Sequence, residues 1–391
     1  MDRLELYEMI AGGEDSLTEF KRDVSQRSDF AGEMIAFANT EGGQILVGVA
    51  DDGMIVGVSD PQRTEETLMN IARDNCTPPL TPVIERVATD EGVVLVVYVP
   101  RRVAEPHENN SGQCYIRVGS TKRLVTAKER ARLLQQAGLV HYDEIPVPRT
   151  EFTDLDLDVF GEYYRRIYNT PLEKADVPLP RMLENMRFIV RDIENVSRLS
   201  LAGLLLFGKR PQEFVRYARI SAVRWQGISA GEVIVDRQEI EGRLPQQIEQ
   251  AESFVVRNTF LETRIEGMRQ TDRAQYPIAA FREAIVNAVA HRDYSLEGAQ
   301  TLLYIFDDRI EIRSPGILPN SVTLDNIRTH YSKPRNDTIA RVLFNLGYVN
   351  VIGSGVPRII NLMRANTGRD PEFEELQHQF LVRLWGAHRE T

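Results

Sequence analysis

Hydrophobic positions along the chain switch between a helical period and strict alternation, which predicts a mixed α+β protein. Phe30, Met34, Phe37 and Ala38 form the buried stripe of a helix that Ser28 or Asp29 can cap and that Glu41-Gly42-Gly43 ends. Residues 44–50 and 54–58 read as strands joined by a turn at Asp51-Asp52-Gly53. A helix over 62–74 stops before Pro78-Pro79, and 83–88 and 93–99 pair as a hairpin turning at Asp90-Glu91-Gly92. A strand at 114–118 and a helix at 126–136 complete a compact α+β domain over residues 1–140.

Pro146 and Pro148 then mark a linker. Residues 141–245 read as a connector, mostly helical with a strand pair near 218–225 and 232–236 and a buried segment at 201–207. Residues 246–391 read as a third domain. It holds a helix over 245–260, a helix from Pro277 to His291 with Ile278, Phe281, Ile285, Val286, Ala288 and Val289 as its apolar face, and a hairpin at 302–313. A helix at 338–346, a glycine turn at 353–355 leading into a further helix, and a last strand at 380–385 follow. The expected fold class is α+β and multidomain: an N-terminal α+β domain, a helical or mixed connector and a C-terminal α/β sandwich.

At 391 residues the chain has room for two or three domains, and 42% hydrophobic with 27% charged residues is the balance of a globular protein. Two cysteines, Cys76 and Cys114, without CxxC spacing fit a reducing, cytoplasmic compartment. The N-terminus has no basic region followed by an apolar run, so no signal peptide is expected, and no apolar run is long enough for a membrane helix. A net charge of −10 argues against a protein that coats nucleic acid without selectivity. The charge is uneven, however: residues 101–140 carry 8 Lys/Arg against 3 Asp/Glu, whereas residues 1–100 carry 7 against 19. That basic segment is a candidate phosphate-facing surface, or simply a solvated helix and loop.

Glu283, Asn287 and His291 recur at intervals of four, so a helix stacks them along one side. Asn287 can offer a neutral oxygen to Mg²⁺, and Glu283, one turn earlier, can orient or deprotonate a water for attack on a γ-phosphate. The amides of Gly353-Ser354-Gly355, followed by a helix N-terminus, can form an anion nest. Between the turn at Ser314-Pro315-Gly316 and that loop lie His330, Lys333 and Arg335, cations that a lid can bring to phosphates. Each piece alone also fits a polar helix face and an ordinary turn; the ordered combination points to a Mg-nucleotide pocket.

Glu283-x-x-x-Asn287-x-x-x-His291, Ser314-Pro315-Gly316 and Gly353-Ser354-Gly355 together resemble the Bergerat (GHKL) ATP-binding fold, most closely its RecG-related branch of ATP-binding regulators. The resemblance runs over roughly 200–391. It implies a sheet with helices on one face, Mg-ATP bound between helices and lid, Glu283 as base and Asn287 as metal ligand. The chain departs from the family at its first glycine box, where the Asp that recognises the adenine amino group is replaced by Ser314.

Glu14, Glu19 and Asp51 are three carboxylates near a helix lead-in and on a turn, with Asp52 an alternative to Asp51. Three converging carboxylates can hold divalent ions for phosphodiester hydrolysis, with Lys21 steadying the attacking water or the developing charge. Acidic residues are also common in caps and turns. Glu14-x-x-x-x-Glu19-Phe20-Lys21, the segment 36–43, Ile45 to Val49, Asp51-Asp52-Gly53 and the segment 115–120 resemble the Schlafen-type AlbA-like domain over about 10–135. That family implies RNA or DNA binding. Some of its members cut RNA with a three-carboxylate site, to which Glu14, Glu19 and Asp51 correspond, with Mg²⁺ or Mn²⁺ as the metal. Arg117, Lys122, Arg123 and Lys128 are the candidate phosphate contacts. Tyr115 is either a base-stacking or a core residue. His107, His141, His378 and His388 show no ligand spacing and read as surface residues.

The functional expectation is a nucleic-acid-binding protein with an ATP-binding regulatory domain, a homo-oligomer, with nuclease or weak ATPase activity open. The alternatives are a non-catalytic DNA-binding transcriptional regulator, and an ATPase switch of the kind suggested for some relatives in phage defence.

Overall fold

The computed structural model describes residues 1–101, 105–137, 139–231, 233–266, 269–318, 322–329, 333–349 and 353–387, and for residues 128, 136, 262–266 and 269–273 the backbone alone. It divides into two compact units, Met1–Val140 and His141–Thr391. The fold is α+β and multidomain, as the alternating patterns predict.

The first unit runs α1 (Arg3–Gly12), β1 (Thr18–Lys21), α2 (Arg27–Ala38), β2 (Gly43–Val47), α3 (Pro61–Asp74), β3 (Cys76–Thr77), β4 (Val83–Ala88), β5 (Val93–Val99), β6 (Glu108–Asn109), β7 (Tyr115–Val118), β8 (Thr121–Leu124) and α4 (Ala127–Gln136). Its main sheet has the order β1-β2-β5-β4, with β1 and β2 parallel and the other pairs antiparallel. The continuous apolar run of β5 is explained by burial of both its faces. Leu95, Val97 and Val99 pack with Ile45 and Val47 under α2 and α3, while Val94 and Val96 pack with Leu46, Phe20 and Leu6 of α1.

The expected strand at 54–58 does not form; only an isolated bridge joins Val49 to Ile55. The reason is that β2 already has partners on both edges, β1 and β5. The chain then turns at Gly48 (φ +100°), where an added Cβ would lie 3.1 Å from Gly57 Cα. His107, read as a surface residue, is buried: its backbone N–H donates to Asn39 Oδ1 (2.8 Å) and its Nδ1 lies 2.8 Å from the Pro78 carbonyl.

The second unit begins with helices α5 (Leu157–Tyr168) and α6 (Leu179–Asn185), the small hairpin β9 (Ile189–Arg191) and β10 (Ser197–Leu199), α7 (Leu201–Phe207) and α8 (Pro211–Phe214). It continues with β11 (Ile220–Trp225), β12 (Ile234–Ile240), α9 (Leu244–Arg257), the hairpin β13 (Leu261–Glu266) and β14 (Arg269–Ala274), and α10 (Ile278–Ala290). It ends with β15 (Thr301–Ile305), β16 (Arg309–Pro315), α11 (Asp337–Asn345), α12 (Gly355–Thr367), β17 (Glu372–Leu376) and β18 (Gln379–Trp385). A six-stranded sheet has the order β12-β11-β15-β16-β18-β17, so the strand pair of the segment read as a connector joins the same sheet as the later strands. Only β11 and β15 run parallel.

Alternation in β16 sorts the faces. Ile310, Ile312 and Ser314 are buried, while Glu311 binds Arg309 (2.7 Å), Arg313 (2.7 Å) and Arg383 (3.2 Å). Helix α7 is apolar all round and wholly buried; its Gly203 is required because a Cβ there would lie 2.2 Å from the Phe188 carbonyl oxygen.

Candidate functional site

Helix α10 is capped by Pro277 and presents Glu283, Asn287 and, at its C-cap, His291 along one side, as the four-residue spacing predicts. Ile278, expected on the apolar face, is 48% exposed, because it is the first helical residue and precedes the packed turn. A cavity of about 350 Å³ is lined by these three polar residues together with Ser314, Gly316, Lys333, Gly353 and Gly355. Four separated stretches of sequence therefore meet at one cavity. Its remaining wall is largely apolar, including Ala288, Ile312, Phe380 and Val382.

At one end of the cavity the start of α12 presses on α10. A Cβ on Gly355 would lie 2.4 Å from Glu283 Oε1 and 3.1 Å from Asn287 Nδ2, so only glycine leaves that space open. Glu283 is buried, and burial pushes its carboxyl up while Arg358, 3.9 Å away, and a hydrogen bond from Asn287 hold it back. With its N–H turned to Glu283, the Asn287 carboxamide leaves an oxygen for a cation. The donor set, a carboxylate and a neutral oxygen beside a glycine cradle, fits a Mg²⁺-bound polyphosphate.

The other end lies where α10 finishes. Ser314 does not point an acceptor freely into the cavity: its hydroxyl donates to the Ala288 carbonyl (2.6 Å). Gly316, at φ +107°, packs so closely that a Cβ would lie 2.7 Å from Asp293 Cβ. Arg335 does not line the cavity. It is buried, with Nη1 3.4 Å from Asp293 Oδ2 and Nη2 donating to the Ile317 carbonyl, so it braces the turn from behind. Burial pushes the His291 imidazole down to about 4, and the nearby Arg335 charge adds to this. The ring is therefore neutral near pH 7. His330 and His388 lie outside the described residues.

Asp337, Arg341 and Phe344 of α11 also line the cavity and were not singled out from sequence. Their spacing of four and three on a helix placed there by its periodicity was the available signal.

The N-terminal carboxylates are placed differently. Glu14 is exposed and accepts from the Phe20 N–H (2.9 Å), and Asp51 and Asp52 are exposed on their turn, where Asp52 accepts from the Met54 N–H (3.0 Å). Glu19 alone is buried, bound to Lys21 (2.6 Å) and Arg117 (2.8 Å). Among the described residues no group of three or more His, Cys, Asp or Glu is arranged to hold a metal ion. These carboxylates do not fit a metal as they stand, because Glu19 is occupied by cations.

The cations of the basic segment are also engaged. Arg117, with a side chain 1% exposed, joins Glu19 and Glu33 (3.2 Å) and donates to the Asp15 and Thr18 carbonyls. Lys122 binds Asp29 (2.5 Å) and Glu33 (2.8 Å), lying across Gly32, where a Cβ would be 3.1 Å from Lys122 Cε. Arg123 is surface-accessible but paired with Glu129 (2.6 Å), and the side chain of Lys128 lies outside the described residues. Arg117 therefore faces inward rather than towards a phosphate: it neutralises carboxylates that β1 and α2 bury. Tyr115 is half-buried against the core and donates to Gln113 Oε1 (2.9 Å).

Residues 14–126 match the family described as Schlafen, AlbA_2, and residues 298–384 match the one described as putative ATP-dependent DNA helicase recG C-terminal. The chain thus joins a Schlafen AlbA_2 domain to a RecG-like C-terminal domain. No curated protein matches it. Among solved structures, it is similar to the DIP2311 protein from Corynebacterium diphtheriae, with 24% identity, 98% of this chain and 80% of that one covered, and a TM-score of 0.48. It is also similar to the N-terminal domain of a putative ATP-dependent DNA helicase RecG-related protein from Nitrosomonas europaea, with 23% identity, 32% of this chain and 94% of that one covered, and a TM-score of 0.25. Among the described residues, no helix is long and apolar enough to cross a membrane.

Proposed function

We propose that this chain is a nucleic-acid-binding protein whose second unit binds a Mg-nucleoside triphosphate, ATP being the first candidate, as a regulatory ligand. The observation that carries this reading is the convergence of Glu283, Asn287, Gly353 and Gly355 on one cavity from separate segments. The match over 298–384 to an ATP-dependent type of domain agrees with it.

In this reading the amides around Gly353 and Gly355 and the N-terminus of α12 hold phosphate oxygens. Lys333, on the cavity wall, adds a cation. Glu283 and Asn287 would hold Mg²⁺, which neutralises phosphate charge when bound. Glu283 is wedged against Gly355 and faced by Arg358, an arrangement suited to holding a ligand in place.

Nucleic acid belongs to the first unit in this reading, supported by its match to the Schlafen AlbA_2 family. Because Arg117 and Lys122 are spent internally, contact falls to exposed cations such as Arg22, Arg27 and Arg123. No hydrolytic step is assigned to Glu14, Glu19 and Asp51, whose donors do not come together.

The test is to titrate labelled single-stranded RNA and DNA with the full chain, with Mg²⁺ alone and with Mg-ATP, at several salt concentrations. Salt-dependent binding that shifts on adding Mg-ATP is expected. Absence of both nucleic-acid and nucleotide binding sinks the reading.

A further inference from the structure

The cavity has two chemically different ends. Glu283 and Asn287 meet Gly355 at one. His291 marks the other, eight residues along the helix and about 12 Å away at 1.5 Å per residue. The first end is built for phosphate and cation, which leaves the second for the base.

Three observations place Asp337 at that second end. Arg335, two residues earlier, packs behind Gly316, whose added Cβ would lie 3.6 Å from Arg335 Cζ. Asn336, the residue before, donates to the carbonyls of Ala290 (2.9 Å) and Arg292 (2.8 Å), on either side of His291. The first turn of α11 is then fixed by the Ile339 N–H donating to Asp143 Oδ2 (3.1 Å) and the Thr338 hydroxyl donating to Glu144 Oε1 (3.1 Å). Asp337 is held by a rigid helix start rather than by a loose loop.

Asp337 lines the cavity at its solvent-exposed rim, and among the described residues no hydrogen bond or ion pair engages it. Of the other polar groups lining the cavity, Ser314 donates to Ala288, His291 carries no charge near pH 7, and Lys333 and Arg341 are cations that cannot accept a hydrogen bond. On the opposite face of α11, Ile339, Val342 and Leu343 are buried in the core, which fixes the helix's rotation and keeps Asp337, Arg341 and Phe344 on the cavity side. Once a bound base covers this rim and shuts out water, a carboxylate beside a largely apolar wall favours a ligand that brings N–H donors to it.

We propose that Asp337 selects the base of the bound nucleotide by accepting hydrogen bonds from its N–H groups. This rests on the cavity being a nucleotide site. The ligand class is a nucleoside triphosphate whose base carries an exocyclic amino group, adenine or guanine among purines.

The test uses the full chain and calorimetric affinities, with Mg²⁺, for ATP, GTP and purine riboside triphosphate, which lacks the amino group and the ring N–H. ATP or GTP should bind at least about tenfold more tightly than the purine analogue, because a polar site left unpaired rejects the analogue lacking its partner. In Asp337→Ala that preference should fall to within about twofold, while affinity for the purine analogue changes little. The ATP and GTP arms identify which base is read. Asp337→Leu keeps about the bulk of the side chain without an acceptor and serves if the alanine variant does not fold; it should also lose the preference. Retention of the full preference in a folded variant overturns the assignment and leaves the nucleotide site standing. If the native chain binds none of the three, the site itself falls and the assignment with it.

Discussion

Gly355 sits at helical backbone angles, so its requirement is space and not conformation. A methyl group there would lie 2.4 Å from Glu283 Oε1. Gly355→Ala is therefore expected to weaken Mg-ATP binding by at least about tenfold, since 1 Å of misplacement at a positioned site costs that much or more. Titration calorimetry reads this directly. Two titratable groups, His291 on the cavity wall and the buried Asp143, act in opposite directions. The folded His291 value of about 4 lies below the ordinary value of about 6.5, so the unfolded chain binds more protons in that window. Stability from this group falls as pH drops from about 6.5 to 4. Burial pushes Asp143 up to about 6, above the ordinary value near 3.9, so its contribution falls as pH rises from about 4 to 6. Each is worth up to about 3 kcal/mol at 1.36 kcal/mol per unit, and the two nearly cancel in the native chain. In urea unfolding between pH 6.5 and pH 4, compared with the native chain, His291→Gln should lose less stability on acidification and Asp143→Asn should lose more. Equal slopes in the two variants would refute the assignment. Arg117→Ala leaves Glu19 and Glu33 to Lys21 and Lys122 and takes a buried donor from the Asp15 and Thr18 carbonyls, and is expected to cost about 1–3 kcal/mol. Arg123→Ala breaks a solvent-exposed pair and should leave the urea midpoint nearly unchanged in the same experiment.

Elements with local signals follow the sequence closely. Helix α4 begins at a capping box, the Thr126 hydroxyl accepting from the Glu129 N–H and the Glu129 carboxylate accepting from the Thr126 N–H. Thr126→Ala is expected to destabilise the first unit by about 1 kcal/mol, measured as a lowered urea midpoint. The hairpin of β4 and β5 and the turn between β15 and β16 were legible for the same reason: a short polar turn between alternating runs. Strands whose partners are distant were not. Residues 54–58 have strand composition, but β2 is saturated by β1 and β5, and the short β1 carries too few residues to show a period. The site divides in the same way. Glu283, Asn287, His291 and the glycine loop were readable because helix spacing and glycines are local features. The inward turn of Arg117, the bracing role of Arg335 and the cavity face of α11 depend on what packs behind them, which no local pattern states. Charge in the basic segment misled for that reason: its excess counts residues and ignores the carboxylates of α2 that they neutralise.

Across the whole molecule, a net charge of −10 leaves binding to nucleic acid dependent on local cations, so it should weaken steeply with salt. The two units have separate cores, and a ligand of the second stabilises that unit by mass action: about 2.7 kcal/mol at a hundred times its Kd. The direct measurement is calorimetric titration of the full chain with Mg-ATP, run in parallel on Gly355→Ala. The expected result is one saturable site in the native chain and at least a tenfold loss in a variant that remains folded. No binding to the native chain, or undiminished binding to the folded variant, would contradict a nucleotide site between α10 and the glycine loop.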